Sequence, residues 1–87
     1  MDLSDLRLFR AIVEEGSVTR AAEAIAITPQ TLSGQIGLLE ESLGTELFAK
    51  QGRSLVLTEA GKLALDYADE LFALSAELEV MIKHHPR

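Results

Sequence analysis

Cysteine is missing from the chain, so neither disulfides nor a thiolate-ligated metal can brace it, as suits a reducing cytosol. Long apolar runs are missing too. No stretch approaches membrane-spanning length, and the opening residues, Met1 to Phe9, lack the basic start and continuous apolar core of a secretory signal. The expectation is a cytoplasmic protein without a membrane partner. Catalytic chemistry has little to stand on. The pair Glu40 and Glu41 has no basic, nucleophilic or glycine-rich phosphate-cradling companion, so solvated surface or an ion pair is its expected role. Adjacent His84 and His85 would point in different directions on a helix frayed by Pro86, which argues against a metal site. No enzyme, cofactor or metal is therefore expected. Cations are scarce as well: eight Lys and Arg face fourteen Asp and Glu, a net charge of -6.

What is present is helical patterning on a small scale. Eighty-seven residues, 47% of them hydrophobic, suffice for one small domain. Its core alone would leave modest stability, so association of chains is expected. Leu3, Leu6, Phe9, Ile12 and Val13 recur at three- and four-residue spacing, which predicts an amphipathic helix from Asp2 to Glu15 closed by Gly16. Ser17 is a favoured N-cap, and Val18, Ala21, Ala22 and Ile25 predict a second helix of about two turns. Thr28 then offers another N-cap with Pro29 at the first helical position, and Leu32, Ile36, Leu39 and Leu43 form one stripe of a third helix ending at Gly44. The turn between these helices is too brief for anything but a helix-turn-helix. Opposite the stripe lie Gln30, Thr31, Ser33, Gly34, Gln35 and Gly37, small or hydrogen-bonding residues that suit the floor of a DNA major groove. The bland alternative is a helical hairpin whose polar face is merely wet. Two glycines cost such a helix roughly 1 kcal/mol each relative to alanine, and close approach to another backbone is a gain that would offset them.

After Gly44 the apolar period falls from 3.6 to 2. Residues 46–50 and 53–57 are predicted to form a hairpin with Gln51 and Gly52 in the turn, Leu55 and Leu57 facing one way, Ser54 and Val56 the other. Lys50 and Arg53 would flank its tip, the geometry of a wing on DNA phosphates or in the minor groove, unless they are only solvated charges. Thr58 and Glu59 open a last helix, in which Ala60, Ala64, Tyr67, Leu71, Leu74, Leu78 and Met81 step by four and three. Leu63, Leu65, Ala68, Phe72 and Ile82 widen that seam, so part of the helix should pack on its own domain and part on a partner. The other candidate cover for this surface is a C-terminal domain outside these residues. The predicted division is 1–58, a winged helix-turn-helix, and 59–87, a linker and dimerisation helix with Tyr67, Leu71, Leu74, Leu78 and Met81 at the interface.

The charge balance argues against DNA, because phosphate contact supplies most non-specific affinity. Up to Leu57 there are five cations against eight carboxylates, and after it three against six, so acidity is spread along the chain. An acidic chain can still bind if its few cations converge on one face.

Three blocks together, DLSDLRLFRAIVEEGSVTRAAEAI, TPQTLSGQIGLLEESLGTELF and GRSLVLTEAG, resemble the N-terminal domain of the LysR-type transcriptional regulators over essentially the full chain. TPQTLSGQI and YADELFALS are most similar to the subgroup that regulates sodium/proton antiporters. The resemblance implies a mainly α fold, a winged helix-turn-helix of three helices and a two-stranded wing, followed by a long helix that pairs two subunits. It also implies double-stranded DNA with an inverted repeat as partner, a homodimer with a tetramer open to the full-length form, and an effector ligand, if any, bound by a C-terminal sensing domain not among these residues. The residues expected at DNA are Ser17, Thr19, Arg20, Thr28, Pro29, Gln30, Thr31, Ser33, Gly34, Gln35, Lys50 and Arg53. Family members commonly carry arginine where this chain has Gly34, Gly37 and Leu38, so cationic contacts from the third helix are largely missing. The competing reading is an interaction module that dimerises with, and poisons, a full-length regulator without binding DNA.

Overall fold

Four side-chain caps set the helix starts of the chain, whose residues 1–86 are described by a computed structural model. Asp2 and Asp5 form a reciprocal capping box, each carboxylate accepting the other's backbone N–H at 3.0 and 3.1 Å, and start α1 (Leu3–Glu15). Gly16, at φ +82°, ends it. Ser17 accepts the N–H of Arg20 to start α2 (Val18–Ala24), Thr28 that of Thr31 to start α3 (Pro29–Leu43), and Thr58 that of Gly61 to start α4 (Glu59–Lys83). A single antiparallel hairpin, β1 (Phe48–Gln51) with β2 (Ser54–Leu57), lies between α3 and α4. The architecture is the mainly helical winged helix-turn-helix expected from the sequence.

The core sits where α1 roofs the pair α2 and α3. Phe9 and Ile12 of α1, Ala21 and Ala22 of α2, and Leu32, Ile36 and Leu39 of α3 are buried together with Leu47. The two alanines are fully buried, so their small size lets neighbouring helices close on them. Phe48 packs against Phe9 with ring centroids 5.3 Å apart and planes tilted by 47°, and Leu55 and Leu57 pack on the same core, which fastens the hairpin's inner face. From the third helix's stripe only Leu43 is exposed.

The first turns of α4 also belong to this core: Ala60, Ala64 and Leu65 pack against it and Ala68 is buried. Gly61 is there because a Cβ at that position would overlap the carbonyl oxygen of Leu47. Beyond Phe72 the helix runs free, which gives the molecule its 55 Å long axis. No helix among the described residues is long and apolar enough to cross a membrane.

The hairpin departs from its expected boundaries. Gln51 pairs with Ser54 and Phe48 with Leu57, so the turn is Gly52 with Arg53, and residues 46, 47 and 53 lie outside the strands. Gly52 has φ +64° whereas Arg53 does not enter the left-handed region, the glycine-first pattern of a II′ turn. The register is held from the other end, where the Thr58 N–H donates to the Leu47 carbonyl at 3.0 Å.

Candidate nucleic-acid interface

The exposed face of α3 follows from the burial of the opposite one. With Leu32, Ile36 and Leu39 turned inward, Pro29, Gln30, Thr31, Ser33, Gly34, Gln35, Gly37 and Leu38 are all exposed. Among the described residues the side chains of Gln30, Ser33 and Gln35 make no hydrogen bond, so their donors and acceptors are free for a ligand. Thr28 is differently employed: its hydroxyl accepts the Thr31 N–H at 3.1 Å and donates to the Thr31 hydroxyl at 2.9 Å. A Cβ at Gly34 or Gly37 would meet nothing within 4 Å. No neighbour among the described residues therefore requires either glycine.

The hairpin and the start of α2 adjoin that face, since Val18 and Leu55 share a pocket with Ser33. Ser17 and Thr19 line an open groove with Lys50, Arg53, Ser54 and Leu55. Lys50 and Arg53 are exposed, with Arg53 in the turn itself and Lys50 across from Leu55, one rung further in than the sequence suggested. Arg20 is exposed on α2 nearby in sequence.

Charge is sorted by segment although the parts before and after Leu57 are equally acidic. Arg10 pairs with Glu14 and Asp69, Lys62 with Glu59, and Lys83 with Glu79. Among the described residues Arg20, Lys50 and Arg53 have no acidic partner within 4.0 Å, and Arg7 lies over the Phe72 ring at 4.9 Å. Residues 16–39 and 47–58 carry these three cations and a single carboxylate, Glu23. The net charge of -6 therefore sits mainly on the cap and body of α1, the end of α3 with its following loop, and α4.

The interface residues expected on α4 lie elsewhere. Tyr67, Leu71, Leu74, Leu78 and Met81 are 60%, 40%, 61%, 61% and 62% exposed along one line of the helix. Tyr67 and Leu71 border an apolar groove with Met1, Leu6, Leu43 and Leu63, on the side where α1 and α3 meet α4.

The roles of three residues, Glu40, Phe72 and Gly61, escaped the sequence reading. Glu40 is not merely solvated: one of its carboxylate oxygens accepts the N–H groups of Leu47 and Phe48 at 2.6 and 3.3 Å. Phe72 carries Arg10 as well as Arg7 on its ring, at 4.8 Å. Gly61 left a usable signal, since a glycine inside a helix costs about 1 kcal/mol unless something packs close. Glu40 left none, because its partners are seven and eight residues away across a reversal of the chain.

Comparison with known proteins bears on the family and the fold. Residues 3–62 match the family model described as bacterial regulatory helix-turn-helix protein, lysR family. Over 78 residues, 90% of the chain, the sequence is 46% identical to the transcriptional activator protein NhaR of Escherichia coli (strain K12), covering 26% of that protein. It is 44% identical over 75 residues, 86% of the chain, to a probable RuBisCO transcriptional regulator of Cyanophora paradoxa, covering 23% of it. The chain thus spans about a quarter of the length of these relatives. Among solved structures, the BenM_DBD/catB site 1 DNA complex superposes with a TM-score of 0.90 at 36% identity, covering 99% of this chain and all of that one. The CbnR_DBD-DNA complex gives 0.88 at 26% identity, with both chains fully covered.

Proposed function

The chain belongs to the lysR family of bacterial regulatory helix-turn-helix proteins, and from that membership we propose that it is the DNA-reading part of a transcription regulator, acting as a dimer on an inverted repeat. Residues 1–58 are the reading unit and 59–87 the linker and dimerisation helix, Arg87 lying outside the described residues. α3 enters the major groove with Pro29, Gln30, Thr31, Ser33, Gly34 and Gln35 toward the bases, and the β1–β2 wing places Arg53 and Lys50 on phosphate or in the minor groove. Ser17, Thr19 and Arg20 meet the backbone beside it, and Thr28 shapes the entry of α3. The observation that carries this reading is that Arg20, Lys50 and Arg53 have no acidic partner among the described residues, while the side chains of Gln30, Ser33 and Gln35 on the exposed face of α3 make no hydrogen bond there.

Gln30 and Gln35 suit adenine edges, and each good bidentate contact gives roughly 1 to 3 kcal/mol of discrimination against a wrong base. Binding sites are selected from random duplexes with the purified chain, and a selected site and a scrambled one are titrated at matched salt. Gln30→Ala and Ser33→Ala weaken binding to the selected site and leave the scrambled duplex unchanged. If both variants keep full affinity for the selected site, α3 is not the reading head. A second reading has one observation in its favour: beyond Ser33 the outer face of α3 presents Gly34, Gly37 and a 63% exposed Leu38, with no cation. On that reading the chain binds a full-length regulator through α4 and not DNA, and it retards no inverted-repeat fragment even at low salt.

A further inference from the structure

We infer that Glu40 is a positioning residue that aims the wing relative to the recognition helix; this rests on the DNA-reading function proposed above. Local helix physics does not favour a carboxylate at this place. Glu40 lies in the final turn of α3, where the helix dipole disfavours anions and where no basic residue compensates. Its reason is across the chain reversal at Gly44. There it receives the N–H of Leu47 at 2.6 Å and of Phe48, the first residue of β1, at 3.3 Å. Charged acceptors make the stronger hydrogen bonds, and Leu47 is 1% exposed, so its N–H has no water to fall back on.

The same peptide is held from its other side. The Leu47 carbonyl accepts the Thr58 N–H at 3.0 Å and abuts Gly61, and the Thr58 hydroxyl donates to the Glu46 carbonyl at 2.7 Å. Leu47 is therefore the joint at which α3, the wing and α4 meet. Phe48, Leu55 and Leu57 bury the wing's inner face, but apolar contact is non-directional and a two-stranded ribbon alone is marginal. The two bonds to Glu40 supply direction. They fix the base of β1 to the helix that carries Gln30 and Ser33, and hence the place of Lys50 and Arg53 relative to the bases being read.

The test is a double-mutant cycle on the selected inverted-repeat duplex, with affinities measured across a salt series. Arg53→Ala in the wild-type background lowers affinity and reduces the salt slope by about one unit per subunit. Glu40→Ala does the same, and adding Arg53→Ala to it brings little further loss, because the wing no longer reaches its phosphate. Glu40→Gln keeps an acceptor oxygen and restores both affinity and slope. Ethylation interference and dimethyl sulfate protection together read the result directly: Glu40→Ala loses interference at the wing phosphates and keeps protection of guanine N7 in the major groove. Should the alanine variant fail to fold by circular dichroism, Glu40→Asp, shorter by one methylene, takes its place in the cycle. A full additive loss from Arg53→Ala in the Glu40 variant background, with interference at the wing phosphates retained, overturns the inference and leaves DNA reading intact. A wild-type chain that binds no duplex overturns the DNA-reading proposal and the inference with it, whereas one that binds but ignores Arg53→Ala removes the wing contact on which the inference stands.

Discussion

Ala26 holds a left-handed backbone, φ +60°, in the turn between α2 and α3, where an L side chain is strained by about 1 to 2 kcal/mol. Glycine relieves that strain but adds freedom to the unfolded chain, so Ala26→Gly is expected to stabilise the fold by about 0.5 to 1 kcal/mol in urea titration. At Gly61 the sign is opposite. A Cβ there overlaps a backbone carbonyl that cannot rotate away, and Gly61→Ala is expected to cost about 3 kcal/mol in the same measurement. The contrast between these positions shows what residue-level reading reaches. Caps at Ser17, Thr28 and Thr58 were legible because each partner lies three residues ahead on a helix. Glu40 was not, since its hydrogen bonds exist only after α3 has ended and the chain has turned back.

At the scale of elements, all four helices were legible in the periodicity of apolar residues, and the boundaries of α1 to α3 and the start of α4 agree to within a residue or two because cap and stop residues are explicit, whereas α4 ends at Lys83, before the end of the 59–87 span expected for it. The hairpin was legible as a hairpin but not in register. Gln51 and Gly52 read as a turn with glycine second, whereas the structure puts glycine first and moves Arg53 into the tip. A shift of two keeps every residue on its face of the strand, so alternation alone cannot choose between the registers. The bond from Thr58 to Leu47 selects the observed one, and it is a tertiary fact. The consequence for function is that Arg53 projects from the end of the wing. For α3 the element-level prediction concerns Gly34, whose Cβ direction is open. Gly34→Arg adds a cation to the face of α3 without disturbing packing. It should raise affinity for scrambled duplex at low salt and narrow the ratio between selected and scrambled sites, because phosphate attraction carries no sequence information. Parallel titrations check this, and a widened ratio would mean that the introduced guanidinium reads base edges and not phosphate.

At the scale of the whole molecule, two faces of α4 have to be reconciled. One, through Gly61, Leu65, Ala68 and Phe72, is turned to its own domain, and Arg10 reinforces it by pairing with Asp69 at 3.3 Å and lying over Phe72. The other, through Tyr67, Leu71, Leu74, Leu78 and Met81, leaves large apolar side chains in solvent along the helix, and heptad spacing makes that line straight. Among the described residues no other element covers that line. Exposed apolar surface of that extent is the signature of an interface, and pairing two copies would also double the number of unpaired cations presented to one duplex. That matters for a chain of net charge -6, since a monomer offering only Arg20, Lys50 and Arg53 to the duplex would bind weakly. Dimerisation and DNA affinity are therefore expected to fail together. Leu74→Glu with Leu78→Glu puts two like charges into each facing seam while leaving the core contacts of α4 untouched. Sedimentation should show the mass falling to that of a monomer, and affinity for an inverted repeat should drop to that for an isolated half-site, with the helical circular dichroism of the head retained. An unchanged dimer mass would exclude this seam as the interface, and a monomer that kept its full affinity for the inverted repeat would separate pairing from recognition.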